Sequence, residues 1–561
     1  MIKKEIFFLL TLIVFSTVSA QQKPYLNYGP PLDIPLVFSA NFGELRSNHF
    51  HMGVDYKTKG VQGVKILAIE KGYIARVKVS SFGYGKVIYI NHPNGVTSVY
   101  AHCSKFLGEL DSIVSKIQST EQNFEIDYYP QPNEIKVVKG QNIALSGNTG
   151  SSTAPHLHFE LRDTKSETAL NPLLYGFNIT DHKSPIINRV KLYSITEQGY
   201  ISSNKTYSHN LLLKNGTYST EEKYLKIPFD FINKNGGIGI AIDTYDPYDL
   251  SSNKLGIYGS DLKINDSSIF QMRIDSVSFE DTRYINSHKD YYEFSTNHRH
   301  YHKSFKTDVN PLPIYILNNN GKINCKIGDT LNLNYSCYDT KGNTSKCAIK
   351  IIIDDLKTEI PQNNLASTDY IQPNENKIFS VGKMNIAFTK GTLYEPEIIK
   401  IKEGVNEFSI GSRKIPIQKP VHIQLHQPNI PFLKASSYYF TVNDRFLTTS
   451  YKNDSLTTFS KYLGDFKIRQ DTINPTIKPR NFTINKPLNS NEITWSIFDY
   501  QSGINDYDLF IDGKWYLIEY EYKNNSVKFN CTGIKGVKTV KMIVKDNCNN
   551  KTEWQEELNF Q

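Results

Sequence analysis

The chain has 561 residues, with 64 Lys plus Arg against 56 Asp plus Glu and a formal net charge of +8. At roughly 150 residues per domain this length calls for three or four modules, and so dilute a charge excludes the electrostatic footprint of a nucleic-acid binder. A composition of 39% hydrophobic and 21% charged residues excludes a disordered chain and a multi-span membrane protein, and the 36 Tyr and 30 Phe beside 5 Met and 3 Trp favour a mostly β fold, because aromatic side chains fill half-buried pleated surfaces.

In chain order, residues 1–20 read as an export signal. Lys3 and Lys4 precede an apolar run over residues 6–18, and Val18-Ser19-Ala20 supplies a small-residue cleavage site. The run falls short of the roughly 20 residues that span a bilayer, so Gln21 is the expected mature N-terminus. No transmembrane anchor is expected in the mature chain, and the protein is placed outside the cytoplasm, in the periplasm or the extracellular space.

Residues 21–180 form the first predicted domain, with a core over 38–175 that is dense in His and Gly. His51-Met52-Gly53-Val54-Asp55 offers an imidazole and a carboxylate on a short Gly-containing segment. After the Pro93-Asn94-Gly95 turn, a strand is expected to end at Val99-Tyr100-Ala101-His102. Cys103 follows directly, but neighbouring strand residues face opposite sides, so it is expected as a buried thiol and not a nucleophile beside His102. The stretch 104–138 is long for a connection, with a short helix predicted within 112–122; it either borders a groove as a lid or is a surface excursion. His156-Leu157-His158-Phe159-Glu160-Leu161-Arg162 alternates strictly, which puts His156, His158 and Glu160 on one strand face and Leu157, Phe159 and Leu161 on the other, in a core.

Two imidazoles on one strand face lie about 7 Å apart along the backbone. Taken with His51 and Asp55, His158 completes a two-His, one-carboxylate set of the kind that holds zinc with a position left for water. His102 and His156 then serve as general base and oxyanion donor, in either order. His49 is treated as peripheral, and the His298-Arg299-His300-Tyr301-His302 run as a solvated strand or loop without carboxylate or Cys partners.

Beyond Ser184-Pro185 the sequence becomes rich in Asn, Lys, Tyr and Ile. An alternating strand followed by an Asp and a polar turn recurs, at Asp243, Asp339, Asp499 and Asp546. Asp and Asn close such turns through their own backbone, so the expectation is a β-sandwich region over 184–355, a β-rich region of unclear division over 356–480, and an immunoglobulin-like domain over 481–561. Six cysteines are too few for a disulfide scaffold, though Cys531 and Cys548 could staple a hairpin.

The ordered set His51-x-Gly53-x-Asp55, Gly83-Tyr84-Gly85, Tyr100-Ala101-His102, Gly147-Asn148-Thr149-Gly150 and His156-Leu157-His158 resembles the lysostaphin or LytM-type zinc metalloendopeptidases. The resemblance implies a Gly-rich antiparallel β-sheet peptidase domain, one Zn2+ per chain on His51, Asp55 and His158, and catalytic roles for His102 and His156. It further implies hydrolysis of peptide bonds in bacterial cell-wall peptidoglycan, at peptide stems or cross-bridges; from architecture alone, the C-terminal domains are expected to bind wall or an envelope partner. The rival expectations are a non-catalytic envelope binding or regulatory protein with a vestigial site, and a peptidase of ordinary exported proteins.

Overall fold

Runs of β-branched and aromatic residues form strands throughout the described residues, among which the longest helix is α1, Glu109–Glu121. A computed structural model describes residues 28–356, 369–404, 406–426 and 436–561; the expected export signal lies outside them. The first domain is built from β1 (Phe38–Ala40), β2 (Val54–Lys57), β3 (Lys65–Leu67), β4 (Gly72–Val79), β5 (Lys86–Asn91), β6 (Val96–Phe106), β7 (Ile126–Tyr128), β8 (Lys136–Val137), β9 (Asn142–Ser146), β10 (His156–Asp163) and β11 (Ala169–Leu170). Its sheet runs β1-β2-β10-β6-β5-β4-β7, antiparallel throughout.

The alternation of β10 explains its central place. Leu157, Phe159 and Leu161 are fully buried and pack with Tyr56 and Tyr100 from the flanking strands, Phe159 meeting Tyr100 edge-on at 5.4 Å. At roughly 25 cal/mol per Å2 of apolar surface, each such side chain contributes about 1.5–3 kcal/mol. The register that this face imposes sets His158 opposite Asp55 on β2 and opposite Ala101 on β6. A slip of one residue would turn the histidines into the core.

β6 does not end at His102, as the turn signals suggested. It continues to Phe106, with His102 in the left-handed region at φ 60 and a register shift against β9 between Cys103 and Lys105. A bulge re-aims a side chain without ending the strand, and a non-glycine residue at positive φ stores strain. Cys103 is fully buried, and burial pushes its thiol up to about 12.

The 104–138 stretch supplies α1, which buries Leu110, Val114 and Gln118 on one face, and then β7 and β8, which extend the sheet beyond β4. It therefore lies at the sheet edge away from the ligand-bearing strands. One function reaches further: Glu125 Oε1 accepts from the Ser81 N–H at 2.7 Å.

Most buried apolar residues from Leu32 to Ile353 form one continuous core, with smaller clusters beside it around Tyr193 and Phe305 and around Val87 and Val99. β11 pairs with Ser276–Val277, so the first sheet continues into the second region. That region contains antiparallel strands such as Ile186–Ile195 against Gly237–Tyr248 and Thr330–Tyr338 against Thr344–Asp354. Separate cores follow around Ile423 and Phe440, and around Trp495. In the last, two four-stranded antiparallel sheets face each other, with Trp495 of one meeting Trp554 of the other at 5.9 Å.

All six cysteines are free thiols. The staple expected between Cys531 and Cys548 is not formed; their thiols donate to the carbonyls of Ser490 and Ser437, at 3.1 and 3.6 Å. The His298–His302 run is also less solvated than expected. Tyr301 and His302 are buried, and His302 Nδ1 lies 2.9 Å from His288 Nε2.

Candidate metal centre

His51, Asp55 and His158 converge on one point. His51 Nε2 lies 3.1 Å from Asp55 Oδ1 and 3.2 Å from His158 Nδ1, and His158 Nδ1 lies 2.8 Å from Asp55 Oδ1. The three form a group able to hold a metal ion. The outward nitrogens show why. His51 Nδ1 lies 2.7 Å from the Asn41 carbonyl, and His158 Nε2 lies 2.8 Å from Glu160 Oε1. Both outer partners only accept, so each ring N–H points outward and leaves a lone pair aimed inward. Three acceptors that face one another require a proton or a cation between them, and two neutral imidazoles with a carboxylate suit zinc. Burial opposes charge on His158, but Asp55 and Glu160 outweigh it and lift His158 to about 9. Asp55 stays well below the usual carboxylate range despite its burial, through the three histidines around it. A cation in this place competes with that proton.

The support behind the ligands is built in layers. Glu160 is fully buried and also accepts from the Tyr84 hydroxyl and, at 2.7 Å, from Arg162 Nε. The Arg162 guanidinium lies 4.2 Å from the ring centre of Phe279, a residue of the second region. Gly53 is required by close approach, since a Cβ there would sit 2.5 Å from the Phe159 carbonyl oxygen and 3.0 Å from His158 Cε1. Asn41, whose carbonyl orients His51, is itself clamped by Gly256: its side chain donates to the Gly256 carbonyl at 2.7 Å and accepts from the Gly256 N–H at 2.8 Å. The second region also holds the 46–50 segment, where Lys289 Nζ donates to the carbonyls of Arg46 and Ser47 and Thr282 Oγ1 accepts from the Phe50 N–H. His49 lies outside the converging group, and burial lowers it to about 4.

His102 and His156 stand beside the trio. Their ring centres are 4.8 Å apart, and His102 is 6.0 Å from His158. His102 Nδ1 lies 2.8 Å from the Thr149 carbonyl and His156 Nδ1 lies 2.8 Å from the Ala154 carbonyl, so each keeps Nε2 as the acceptor. Burial, with His158 and His156 nearby, holds His102 down at about 3, which makes it neutral near pH 7. Interlocked glycines deliver the Thr149 carbonyl. A Cβ on Gly150 would lie 2.3 Å from the Gly85 nitrogen, and both residues have positive φ. The five histidine and aspartate positions singled out in the sequence are thus brought together.

The residues that sequence reasoning left without roles are Asn41, Tyr84, Glu160 and Arg162. Glu160 and Arg162 continue the polar face of the β10 alternation, and Tyr84 sits inside Gly-Tyr-Gly, so these carried a signal. Asn41 and Gly256 carried none, because their pairing spans 215 residues. The C-terminal domain borders the same rim. Lys523 Nζ donates to the carbonyls of Asn148 and Ser152, Lys86 Nζ lies 2.8 Å from Glu519 Oε1, and the rings of Phe82 and Tyr522 are 4.5 Å apart.

Residues 49–120 and 131–172 match Peptidase family M23. Curated relatives include an uncharacterized metalloprotease of Haemophilus influenzae, 34% identical over 123 residues that make up 22% of this chain and 20% of that one. Peptidoglycan DD-endopeptidase ShyA of Vibrio cholerae is 30% identical over 146 residues, 25% of this chain and 27% of its own. Among solved structures, the catalytic domain of lysostaphin from Staphylococcus simulans aligns at 28% identity and a TM-score of 0.18, covering 24% of this chain and 90% of that one. The chain thus spans only a fifth to about a quarter of the length of these curated relatives. Within residues 49–172, this chain thus carries a region that matches Peptidase family M23 and is similar to relatives that include lysostaphin.

Proposed function

We propose that the protein is an exported zinc metalloendopeptidase that hydrolyses peptide bonds of bacterial cell-wall peptidoglycan. The observation that carries this reading is the inward convergence of three acceptors, His51 Nε2, Asp55 Oδ1 and His158 Nδ1, with both imidazoles fixed from behind. The relatives named for action on peptidoglycan supply the substrate class. His51, Asp55 and His158 would hold the zinc ion. When bound, zinc supplies a Lewis acid for the scissile carbonyl and lowers the pKa of water toward 7.

The chain's own residues do the rest. Asn41 and Glu160 fix the tautomers and ring planes of His51 and His158. His102, neutral at pH 7 and held by the Thr149 carbonyl, keeps an unprotonated Nε2 at the site. His156, anchored by the Ala154 carbonyl and with Nε2 3.5 Å from Asp55 Oδ1, is the partner able to carry the proton or to donate to oxyanion charge. The β-sandwich regions position the domain at the envelope.

The test compares zinc content and digestion of purified wall for the full chain and His158→Ala. The expected result is loss of both in the variant. Wild-type protein that takes up no zinc, or a variant as active as its parent, refutes the proposal in favour of a non-catalytic binding protein. Cleavage of an exported protein substrate with no release of wall peptides refutes only the substrate class.

A further inference from the structure

The recurring Asp before a polar turn has no place in the histidine centre, yet the fold gathers one of these residues, Asp339, with two other aspartates. Asp181 lies between the first domain and the strand Ile186–Ile195, Asp246 lies on the strand Gly237–Tyr248, and Asp339 follows the strand Thr330–Tyr338. One carboxylate oxygen from each falls within 4.8 Å of the other two. Asp246 and Asp339 are 2% and 5% exposed. Among the described residues, none of the three carboxylates forms an ion pair with Lys, Arg or His.

Asp246 supplies a second, independent sign. Its Oδ1 is enclosed and has no hydrogen-bond partner, and it is the one carboxylate oxygen among the buried side-chain atoms of the described residues that lack one. With Asp181 and Asp339 it lines a cavity of about 20 Å3, enough for one water-sized body. Burial, with Asp339 and Asp181 nearby, pushes Asp246 up to about 9. Such a cluster needs positive charge, either as a proton or as a cation. The donors are all oxygens, which favours a hard divalent ion over zinc, and each of the three carboxylates can offer at least one oxygen.

The same unit is built twice. Asp339 Oδ1 accepts from the N–H groups of Lys341 and Asn343, its Oδ2 accepts from Asn343 Nδ2, and that amide also donates to the Asp181 carbonyl at 3.1 Å. In the C-terminal domain Asp546 accepts in the same way from Cys548 and Asn550, whose amide donates to the Asp471 carbonyl at 3.2 Å, with Asp499 as the third carboxylate. These bonds aim the carboxylates and leave further lone pairs free.

We propose that Asp181, Asp246 and Asp339 bind one calcium ion, which fastens the segment following the peptidase domain onto the second β region. The site shares no ligand with the zinc centre, although its cavity is also lined by Asn41 and Gly256, which brace His51. The test uses the full chain, saturated with zinc, in calcium-free buffer and in calcium chloride from about 0.1 to 5 mM, which spans and exceeds the roughly 0.1–1 mM range in which extracellular modules bind. Equilibrium dialysis with radioactive calcium is expected to show one more bound equivalent in wild type than in Asp246→Asn, and calcium is expected to raise the unfolding midpoint of wild type more than that of the variant. Should Asp246→Asn not fold, Asp181→Asn on the half-buried linker is expected to weaken the same equivalent at least tenfold. Equal calcium binding by wild type and both variants, or no binding by wild type, overturns the proposal. An Asp246→Asn protein more stable than wild type and indifferent to calcium also overturns it, and assigns the charge balance to a proton.

Discussion

Replacing Glu160 by Gln keeps the shape of the side chain and removes its charge. Its carboxylate is fully buried and pairs with Arg162, whose side chain is only 7% exposed, at 2.7 Å. Removing one partner of a buried pair costs about 3–5 kcal/mol, because the other charge is left in low dielectric. Arg162 keeps one alternative, Glu167 at 3.1 Å, but that side chain is 58% exposed and offsets at most about 1 kcal/mol. The expected net loss is about 3 kcal/mol in urea unfolding of the metal-free protein. The carboxylate that sets the His158 tautomer is lost at the same time, so zinc affinity should fall by about 10–100-fold. The double variant Glu160→Gln/Arg162→Met separates the two effects. It removes the orphaned charge and should recover most of the stability while zinc affinity stays low. A single variant within about 0.5 kcal/mol of wild type, with unchanged zinc affinity, would refute the reasoning; so would recovery of zinc affinity in the double variant.

Three further outcomes follow from the same geometry. His102→Ala should lower kcat on wall substrate by about 10²–10⁴-fold with zinc content unchanged; metal loss in this variant would mean that His102 is a ligand. Gly53→Ala drives a methyl into the Phe159 carbonyl, so it should cost about 1–3 kcal/mol and weaken zinc binding, read by calorimetry and thermal unfolding. Lys289 is fully buried, and burial lowers it from 10.5 to about 7. Below pH 7 both folded and unfolded chains carry its proton and the penalty is complete; between pH 7 and 10.5 only the unfolded chain does, so this residue makes stability rise with pH across that window. Lys289→Met should remove that rise, by up to about 1.4 kcal/mol per pH unit; an identical pH profile in the variant would count against it.

What the sequence made legible was local. The alternation of β10 fixed which face carried His156 and His158, and the glycine positions marked where backbones approach. The course of β6 through His102 was not legible, because a positive φ at a non-glycine residue is imposed by packing and not by propensity. Equally hidden was the dependence of His51 on Gly256 through Asn41, since a pairing between residues so distant in the chain leaves no periodic trace. The cysteine pair failed for a related reason: strand-like flanks do not say whether two thiols meet. The aspartate turns were visible as hairpin punctuation, but the pattern pointed to Asp243, whereas the carboxylate that joins the cluster is Asp246, three residues on along the same strand.

The reach of Lys523 to the carbonyls of Asn148 and Ser152 ties the final module to the loop that steadies His102 and His156. During synthesis the peptidase domain emerges hundreds of residues before this contact can form, so its cleft gains that wall only after the last sheets have assembled. A product cut short before Lys523 would therefore leave the Asn148 and Ser152 carbonyls without this donor.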